Sequence, residues 1–187
     1  VYQLACPLWK GLHELEHAMT AIWQSIQQPD AFSAVTMTGE LVDLFPNRQV
    51  GVCEIAKVVH RLFGARVMFY AGEAGWVSFD AAAAHTQEIA SMNWLASAQY
   101  LSQFAKSALL MDMGSTTTDV IPLATDKLTA IGRTDAERMA NHALIYTGVV
   151  RTPLMALGPT IGFKEKHSYV AAEYFATTAD VYRLLKE

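Results

Sequence analysis

Cysteine, long apolar runs and clustered basic residues are all scarce in this chain, and each scarcity excludes a class of protein. The two cysteines, Cys6 and Cys53, fit neither the spacing of a zinc site nor a disulfide framework. No apolar run approaches the roughly 18 residues of a membrane-spanning helix. The net charge of −4 comes without a basic stripe, which disfavours nucleic acid as a partner. We therefore expect a cytoplasmic protein that binds neither membranes nor nucleic acid, and a homo-oligomer is compatible with this composition.

The composition that remains is typical of a compact, well-buried protein. Hydrophobic residues make up 52% of the chain and charged residues 17%. At 187 residues, the chain can form one core or two small lobes that share a cleft. Apolar segments of strand length alternate with helical patterns, which predicts an α/β fold with a mixed sheet. We expect two regions, 1–106 and 107–187, with the chemistry beginning near Ser107.

Apolar periodicity predicts the main elements. One helix should run from Leu12 to about Gln27, because its apolar residues recur at helical spacing. Gly64 should end a second helix, Val50–Phe63. The other predicted elements are strands at Val1–Ala5, Ala34–Met37, Val67–Tyr70, Leu109–Met111 and Val120–Leu123, a long helix Ala81–Phe104, and a helical tail Ala171–Lys186 with a break near Thr177.

A hydroxyl-rich segment follows the apolar strand Leu109–Met111. Gly114 allows a close approach to the backbone, and Ser115, Thr116, Thr117 and Thr118 offer hydroxyl groups to phosphate oxygens. Asp112 supplies a carboxylate for Mg²⁺, usually through water. The pattern predicts a phosphate-binding loop; the alternative is an ordinary hairpin whose Asp, Gly and Ser only form the turn.

The segment His13-Glu14-Leu15-Glu16-His17 matches the His-Glu-x-x-His pattern of zinc proteases. At about 100° per residue, the apolar stripe of the same helix centres opposite both histidines. We therefore expect His13 and His17 to face solvent rather than hold zinc.

Several motifs together resemble a known family. The segment Asp112–Asp119 resembles the second phosphate loop of actin-like ATPases, in their hydantoinase/oxoprolinase branch. Five more segments narrow the likeness, and several motifs in one order are more specific than any one of them. With them the sequence is similar to the family of tetrahydromethanopterin-linked C1 transfer, which includes a synthase of methanofuran biosynthesis. The five segments are Thr36–Leu41, Asn93–Ala96, Thr134–Arg138, Tyr146–Pro153 and Ala172–Ala176.

The resemblance implies a fold and an activity. The fold would be the actin-like (ribonuclease H-like) one, with mixed sheets flanked by helices and without the first phosphate-loop strand of Asp-x-Gly-Gly type. The activity would be that of a transferase joining a small phenol to a furanylmethyl carbon with release of diphosphate, using Mg²⁺. An ATP-dependent hydantoinase-like hydrolase or small-molecule kinase is the alternative, and a non-catalytic nucleotide-binding module is a second.

The resemblance also suggests roles for individual residues. A base must take the phenol proton, and Asp119 or Glu40 could do so. Glu40 follows a strand and a Thr-x-Thr-Gly turn, where α/β folds present side chains to ligands. Substrate contacts are expected from five residues near glycine-containing turns, although each could be a plain surface group: Thr38, Arg133, Asp135, Arg151 and Thr152.

Overall fold

The structure is a computed structural model that describes residues 1–26, 28, 30–105, 107–124, 128 and 131–186. The chain divides into two compact units, Val1–Ser97 and Ala98–Glu187. The dividing point falls within one helix, Asn93–Ser102. The division at residues 106 and 107 that we expect from the chemistry stays a prediction.

The first unit places helices around a small mixed sheet. Strand β2 is its centre, parallel to β1 and antiparallel to β3. Its elements are α1 (Leu12–Ile26), β1 (Ser33–Val35), α2 (Arg48–Phe63), β2 (Val67–Tyr70), β3 (Trp76–Ser78), α3 (Phe79–Ala82) and α4 (Thr86–Ile89), followed by α5 (Asn93–Ser102) across the boundary.

Helix α2 supplies much of the buried core of this unit. The Asn47 side chain caps its first turn by accepting a hydrogen bond from the Val50 N–H, and Gly64 ends it with a positive φ of 71°. Its apolar face packs against the strand β2. The shared core includes Val52, Ile55, Val59, Val67 and Phe69. Helical periodicity therefore predicted this helix, which starts two residues earlier than expected, and the apolar run predicted the strand β2.

Two sequence predictions for the first unit are wrong. Val1–Ala5 forms no strand, and the segment from Ala81 to Phe104 is not one long helix but α3, α4 and α5 with breaks between them. Ser91 lies in one break with a φ of 54° and donates its hydroxyl to Glu40. Alanine-rich composition favours a helix, but a left-handed residue cannot continue one.

The second unit is built on an antiparallel sheet in the order β4-β5-β6. Its core includes Ile121, Leu123, Ala143 and Leu144. A separate hairpin, β7–β8, follows. The elements are β4 (Leu109–Met113), β5 (Thr118–Pro122), α6 (Asp135–Ala140), β6 (Leu144–Ile145), β7 (Thr160–Phe163), β8 (Lys166–Tyr169) and α7 (Thr178–Leu185).

The C-terminal helix, Thr178–Leu185, is shorter than the predicted helical segment Ala171–Lys186. Helix α7 begins only after Thr177, whose backbone and side chain both bond the Asp180 carboxylate in a capping box. The predicted break near Thr177 is therefore the start of the helix. The predicted α/β class is confirmed: mixed and antiparallel sheets are flanked by helices. Within the described residues, no helix has the length and apolar character needed to cross a membrane.

Candidate functional site

The hydroxyl-rich segment forms the tip of the β4–β5 hairpin. Asp112 lies directly opposite Asp119, and Met113 opposite Thr118. The Gly114 N–H donates to the Thr117 carbonyl at 2.8 Å and closes the turn. Gly114 does not have a positive φ, so its backbone conformation is open to other residues. The predicted site and the alternative of a plain hairpin share this geometry.

The four hydroxyl groups have different surroundings. Thr118 is buried and donates its hydroxyl to the Thr147 carbonyl at 2.7 Å. Ser115 is exposed, while Thr116 and Thr117 are half-buried. The tip therefore keeps three hydroxyls, on Ser115, Thr116 and Thr117, that can reach a ligand, and Thr118 instead holds the hairpin to its neighbour.

That neighbour is the segment 147–152, which we call the clasp. Three of its backbone N–H groups donate to the hairpin tip: Val149 to the Gly114 carbonyl at 3.0 Å, and Val150 and Arg151 to the Ser115 carbonyl at 3.1 and 2.8 Å. The clasp thus fixes the shape of the tip by occupying its carbonyl groups.

Gly148 allows the clasp to approach the tip so closely. A β-carbon at this position would lie 2.5 Å from the Thr116 backbone nitrogen and 2.6 Å from the Gly114 carbonyl oxygen. Thr152 is buried and bridges the two backbone groups of Gly148, accepting from its N–H at 2.7 Å and donating to its carbonyl at 3.0 Å. Thr178 donates to the same carbonyl at 3.0 Å. Thr152, a predicted substrate contact, thus shapes the clasp.

Arg151 projects from the clasp toward the tip. Its guanidinium donates to the Ser115 hydroxyl at 3.1 Å, and the residue is exposed. Guanidinium groups present several donors in a plane that matches phosphate oxygens. The structure brings this predicted substrate contact together with the predicted phosphate loop.

Asp119 is tied to a residue that the sequence reasoning passed over. Its carboxylate pairs with the Arg138 guanidinium, which is buried with an exposed fraction of 3%. Burial lowers the pKa of Arg138 to about 10, because the charged guanidinium is removed from water. Arg138 also lies 3.9 Å from Asp135, which accepts a hydrogen bond from the Tyr146 hydroxyl at 3.3 Å. The sequence signal that could have pointed to Arg138 was its place directly after the capping box, in the motif Thr134–Arg138.

The capping box starts helix α6 as the motif predicted. Thr134 and Glu137 exchange hydrogen bonds, and the Arg133 N–H also donates to Glu137 at 2.8 Å. These backbone hydrogen bonds lower the pKa of Glu137. Arg133 is exposed beside this turn.

Glu40 and Thr38 belong to the first unit. Glu40 is fully buried, accepts a hydrogen bond from the Ser91 hydroxyl and lies 3.8 Å from the Arg48 guanidinium. Among the described residues, its Oε2 atom has no hydrogen-bond partner. A β-carbon at Gly51 would lie 2.3 Å from the Glu40 carbonyl oxygen, so helix α2 packs directly on this turn. Thr38 is exposed.

The donors at the hairpin fit magnesium better than a metal that needs a full protein cage. Across the part of the chain that the structure describes, no group of three or more His, Cys, Asp or Glu residues could hold a metal ion. His13 and His17 are exposed, as their helical position predicted. Mg²⁺ usually keeps its waters and is held by one or two carboxylates and substrate phosphates. The exposed Asp112 beside the tip fits that requirement.

Comparison with known proteins agrees with the resemblance drawn from the motifs. The family model described as hydantoinase/oxoprolinase matches residues 31–187. A relative from Methanocaldococcus jannaschii, named (4-{4-[2-(gamma-L-glutamylamino)ethyl]phenoxymethyl}furan-2-yl)methanamine synthase, is 32% identical over 188 residues, which cover 100% of this chain and 56% of the relative. A relative of the same name from Methanococcus vannielii is 47% identical over 85 residues, 45% of this chain and 38% of the relative.

The chain spans about half the length of the first of these curated relatives. The match extends through both units and includes the hairpin, the clasp and helix α6. The chain therefore belongs to the hydantoinase/oxoprolinase family.

Proposed function

We propose that this protein binds an organic diphosphate together with Mg²⁺ at the β4–β5 hairpin, and acts in methanofuran-type cofactor biosynthesis. The reaction would join a small phenol to a furanylmethyl group and release diphosphate. The name shared by the two relatives supports the reaction. The observation that carries the binding site is the hairpin tip, where the Arg151 guanidinium donates to the exposed Ser115 hydroxyl, three positions after the exposed Asp112.

Each group at the tip has a proposed task. Arg151 and the hydroxyls of Ser115, Thr116 and Thr117 would hydrogen-bond the diphosphate oxygens. Asp112 would hold Mg²⁺ through water. Bound there, Mg²⁺ would neutralise charge that builds on the departing diphosphate. The clasp would keep these donors in place before the substrate arrives, which is the requirement for electrostatic stabilisation of a transition state.

The proposed chemistry balances without a redox step. The phenol oxygen forms a bond to the furanylmethyl carbon, the bond from that carbon to the diphosphate oxygen breaks, and the phenol proton passes to a base. Asp119 and Glu40 are the proposed bases, and each has a constraint. The carboxylate of Asp119 already pairs with the Arg138 guanidinium, so that pair would have to rearrange before Asp119 could reach the phenol. Glu40 is fully buried and would need to become accessible.

An ATP-dependent reaction is the second candidate function. The description of the family as hydantoinase/oxoprolinase favours it, and the same tip would then hold the phosphates of ATP. A nucleotide-binding module without catalysis would use the same contacts. The proposed fold in either case is the actin-like one, in which a hairpin of this kind holds nucleotide phosphates.

A calorimetric titration separates these possibilities. Inorganic diphosphate and ATP are titrated into the full chain, each with and without Mg²⁺. Tighter Mg²⁺-dependent binding of diphosphate supports the synthase, and tighter binding of ATP favours the ATP-dependent reaction or the module. Formation of an aryl ether from a phenol and a furanylmethyl diphosphate, followed by mass spectrometry, then tests the chemistry. Lack of Mg²⁺-dependent binding of either ligand would contradict the proposed site.

Three residues have no assigned task in this mechanism beyond proposed contacts with substrate: Thr38, Arg133 and Asp135. Thr152 is proposed as a substrate contact too, and it also shapes the clasp. The cytoplasmic location and the formation of a homo-oligomer also stay predictions, as does the lack of a nucleic-acid partner.

A further inference from the structure

Two like charges face each other on neighbouring strands of the hairpin. Asp112 and Asp119 are directly opposite in the β4–β5 register, so their side chains leave the same face of the sheet. Such pairs have β-carbons roughly 5 Å apart, and like charges in this position repel each other. With nothing else present, the two carboxylates would attract a divalent cation without help from a phosphate.

Arg138 changes this balance. Its guanidinium pairs with Asp119, and only 3% of its side chain is exposed, against 14% for Asp119. Asp112 is exposed and makes no ion pair with any residue that the structure describes. The lowered pKa of about 10 still leaves Arg138 charged at neutral pH. The face of the hairpin therefore presents one compensated carboxylate and one that is open to solvent.

We propose that Arg138 is a positioning residue that cancels the charge of Asp119, so that the hairpin takes Mg²⁺ only together with a diphosphate. This inference rests on the proposed function, and it narrows the substrate class to a metal-chelated diphosphate. One open carboxylate holds a hydrated Mg²⁺ weakly, and phosphate oxygens must supply the remaining attraction. Two open carboxylates would hold the cation more tightly without diphosphate, and they would repel the incoming anion whenever the cation was absent.

A purely structural role for Arg138 predicts a different set of results. If the ion pair only stabilises the fold, then the loss of either partner weakens the site in the same direction. If the pair sets the local charge, then the two losses act in opposite directions. Arg138→Gln exposes a second negative charge to the metal, whereas Asp119→Asn leaves a positive charge beside it. The double variant restores the original net charge.

The experiment titrates Mg²⁺ alone, and Mg²⁺ with inorganic diphosphate, into the wild type and variants of the full chain. For Arg138→Gln we expect Mg²⁺ alone to bind about ten-fold more tightly than in the wild type, because a nearby unit charge is no longer cancelled. For Asp119→Asn we expect Mg²⁺ alone to bind about ten-fold more weakly than in the wild type, because the positive charge of Arg138 is left beside the metal. The double variant should lie within a few-fold of the wild type, and Arg138→Lys should also resemble the wild type because its charge is retained. Thermal melting of each variant reports its fold.

Each outcome decides between the two roles. The inference would be overturned if both single variants changed the affinity for Mg²⁺ in the same direction. It would also be overturned if the affinity of the double variant differed from the wild type by more than that of either single variant. If Arg138→Gln does not fold, then Asp119→Asn is compared with the double variant. The inference then requires the double variant to recover the affinity that Asp119→Asn loses. The proposed function fails separately, when the wild type shows no Mg²⁺-dependent binding of diphosphate. In that case the affinity of Arg138→Gln for Mg²⁺ alone still tests the charge cancellation.

Discussion

A β-carbon added at Gly148 would lie 2.5 Å from the backbone nitrogen of Thr116, a separation that real β-carbons do not show. The contact joins the clasp to the tip of the hairpin, and backbone atoms on the hairpin side have no flexible end that could move away. Gly114, the glycine of the tip itself, is less constrained, because its added β-carbon would meet only the Thr117 carbonyl oxygen at 3.3 Å. The shape of the tip therefore depends on a glycine outside the phosphate-loop motif.

Substitution of Gly148 by alanine should push the clasp away from the hairpin. Overpacking of this kind costs about 2 kcal/mol, and the displaced Arg151 should also weaken diphosphate binding. Gly162→Ala is the matched control, since Gly162 lies in β7 of the same unit with nothing within 4 Å of the added β-carbon. Thermal melting and diphosphate titration of both variants test this. Equal melting temperatures and equal diphosphate affinities in the two variants would show that the close approach contributes neither to stability nor to binding.

Asp112→Asn should remove the Mg²⁺ dependence of diphosphate binding without affecting the fold. The residue is exposed, and a neutral amide holds hydrated Mg²⁺ poorly, so we expect a loss of about ten-fold or more in affinity only when Mg²⁺ is present. Asp43→Asn makes the same chemical change at another exposed position and serves as the control. An Asp112→Asn variant that binds like the wild type with Mg²⁺ would exclude the metal role.

Glu137 should make the stability of the protein depend on pH at the acid end. Its pKa in the folded state lies below the usual 4.5 because the N–H groups of Thr134 and Arg133 bond the ionised form. A lowered folded pKa gives stability that is present above 4.5 and is lost as the pH falls through the folded value. In Glu137→Gln the melting temperature should therefore fall less between pH 5 and about pH 3, while Glu173→Gln, an exposed carboxylate, should behave as the wild type does. If the melting temperatures of the wild type and Glu137→Gln fell in parallel as the pH was lowered, ionisation of Glu137 would not be linked to stability.

Replacement of both His13 and His17 by alanine should leave the metal content unchanged. Both side chains are exposed on helix α1, and their rings, with centroids 5.9 Å apart, meet edge to face rather than around a common point. Elemental analysis of the purified wild type and the double variant measures this. Stoichiometric zinc that disappears in the double variant would mean that the pair is a metal site after all.

Local signals predicted much of the fold correctly. The strand β2 (Val67–Tyr70) and the end of α2 at Phe63 agree with the predictions, because an apolar run and a glycine with positive φ are encoded within a few residues. The same local reasoning failed from Ala81 to Phe104. There the alanine-rich composition favoured one helix, but Ser91 adopts a left-handed conformation and bonds Glu40, which is 51 positions away.

The sequence by itself determined that a hydroxyl-rich turn follows an apolar strand, that His13 and His17 face solvent, and that the chain resembles the hydantoinase/oxoprolinase family. Each of these follows from residue types and spacing within one short segment or within a set of ordered motifs. Only the tertiary structure decided which residues of the site are buried or paired and which are open to a ligand. It buried Thr118 and Thr152 in the contact between the clasp and the hairpin, paired Asp119 with Arg138, and left Asp112 and Arg151 open to solvent. Those outcomes depend on contacts between residues as far as 36 positions apart, and no periodicity in the sequence reports which side chains will meet across that separation.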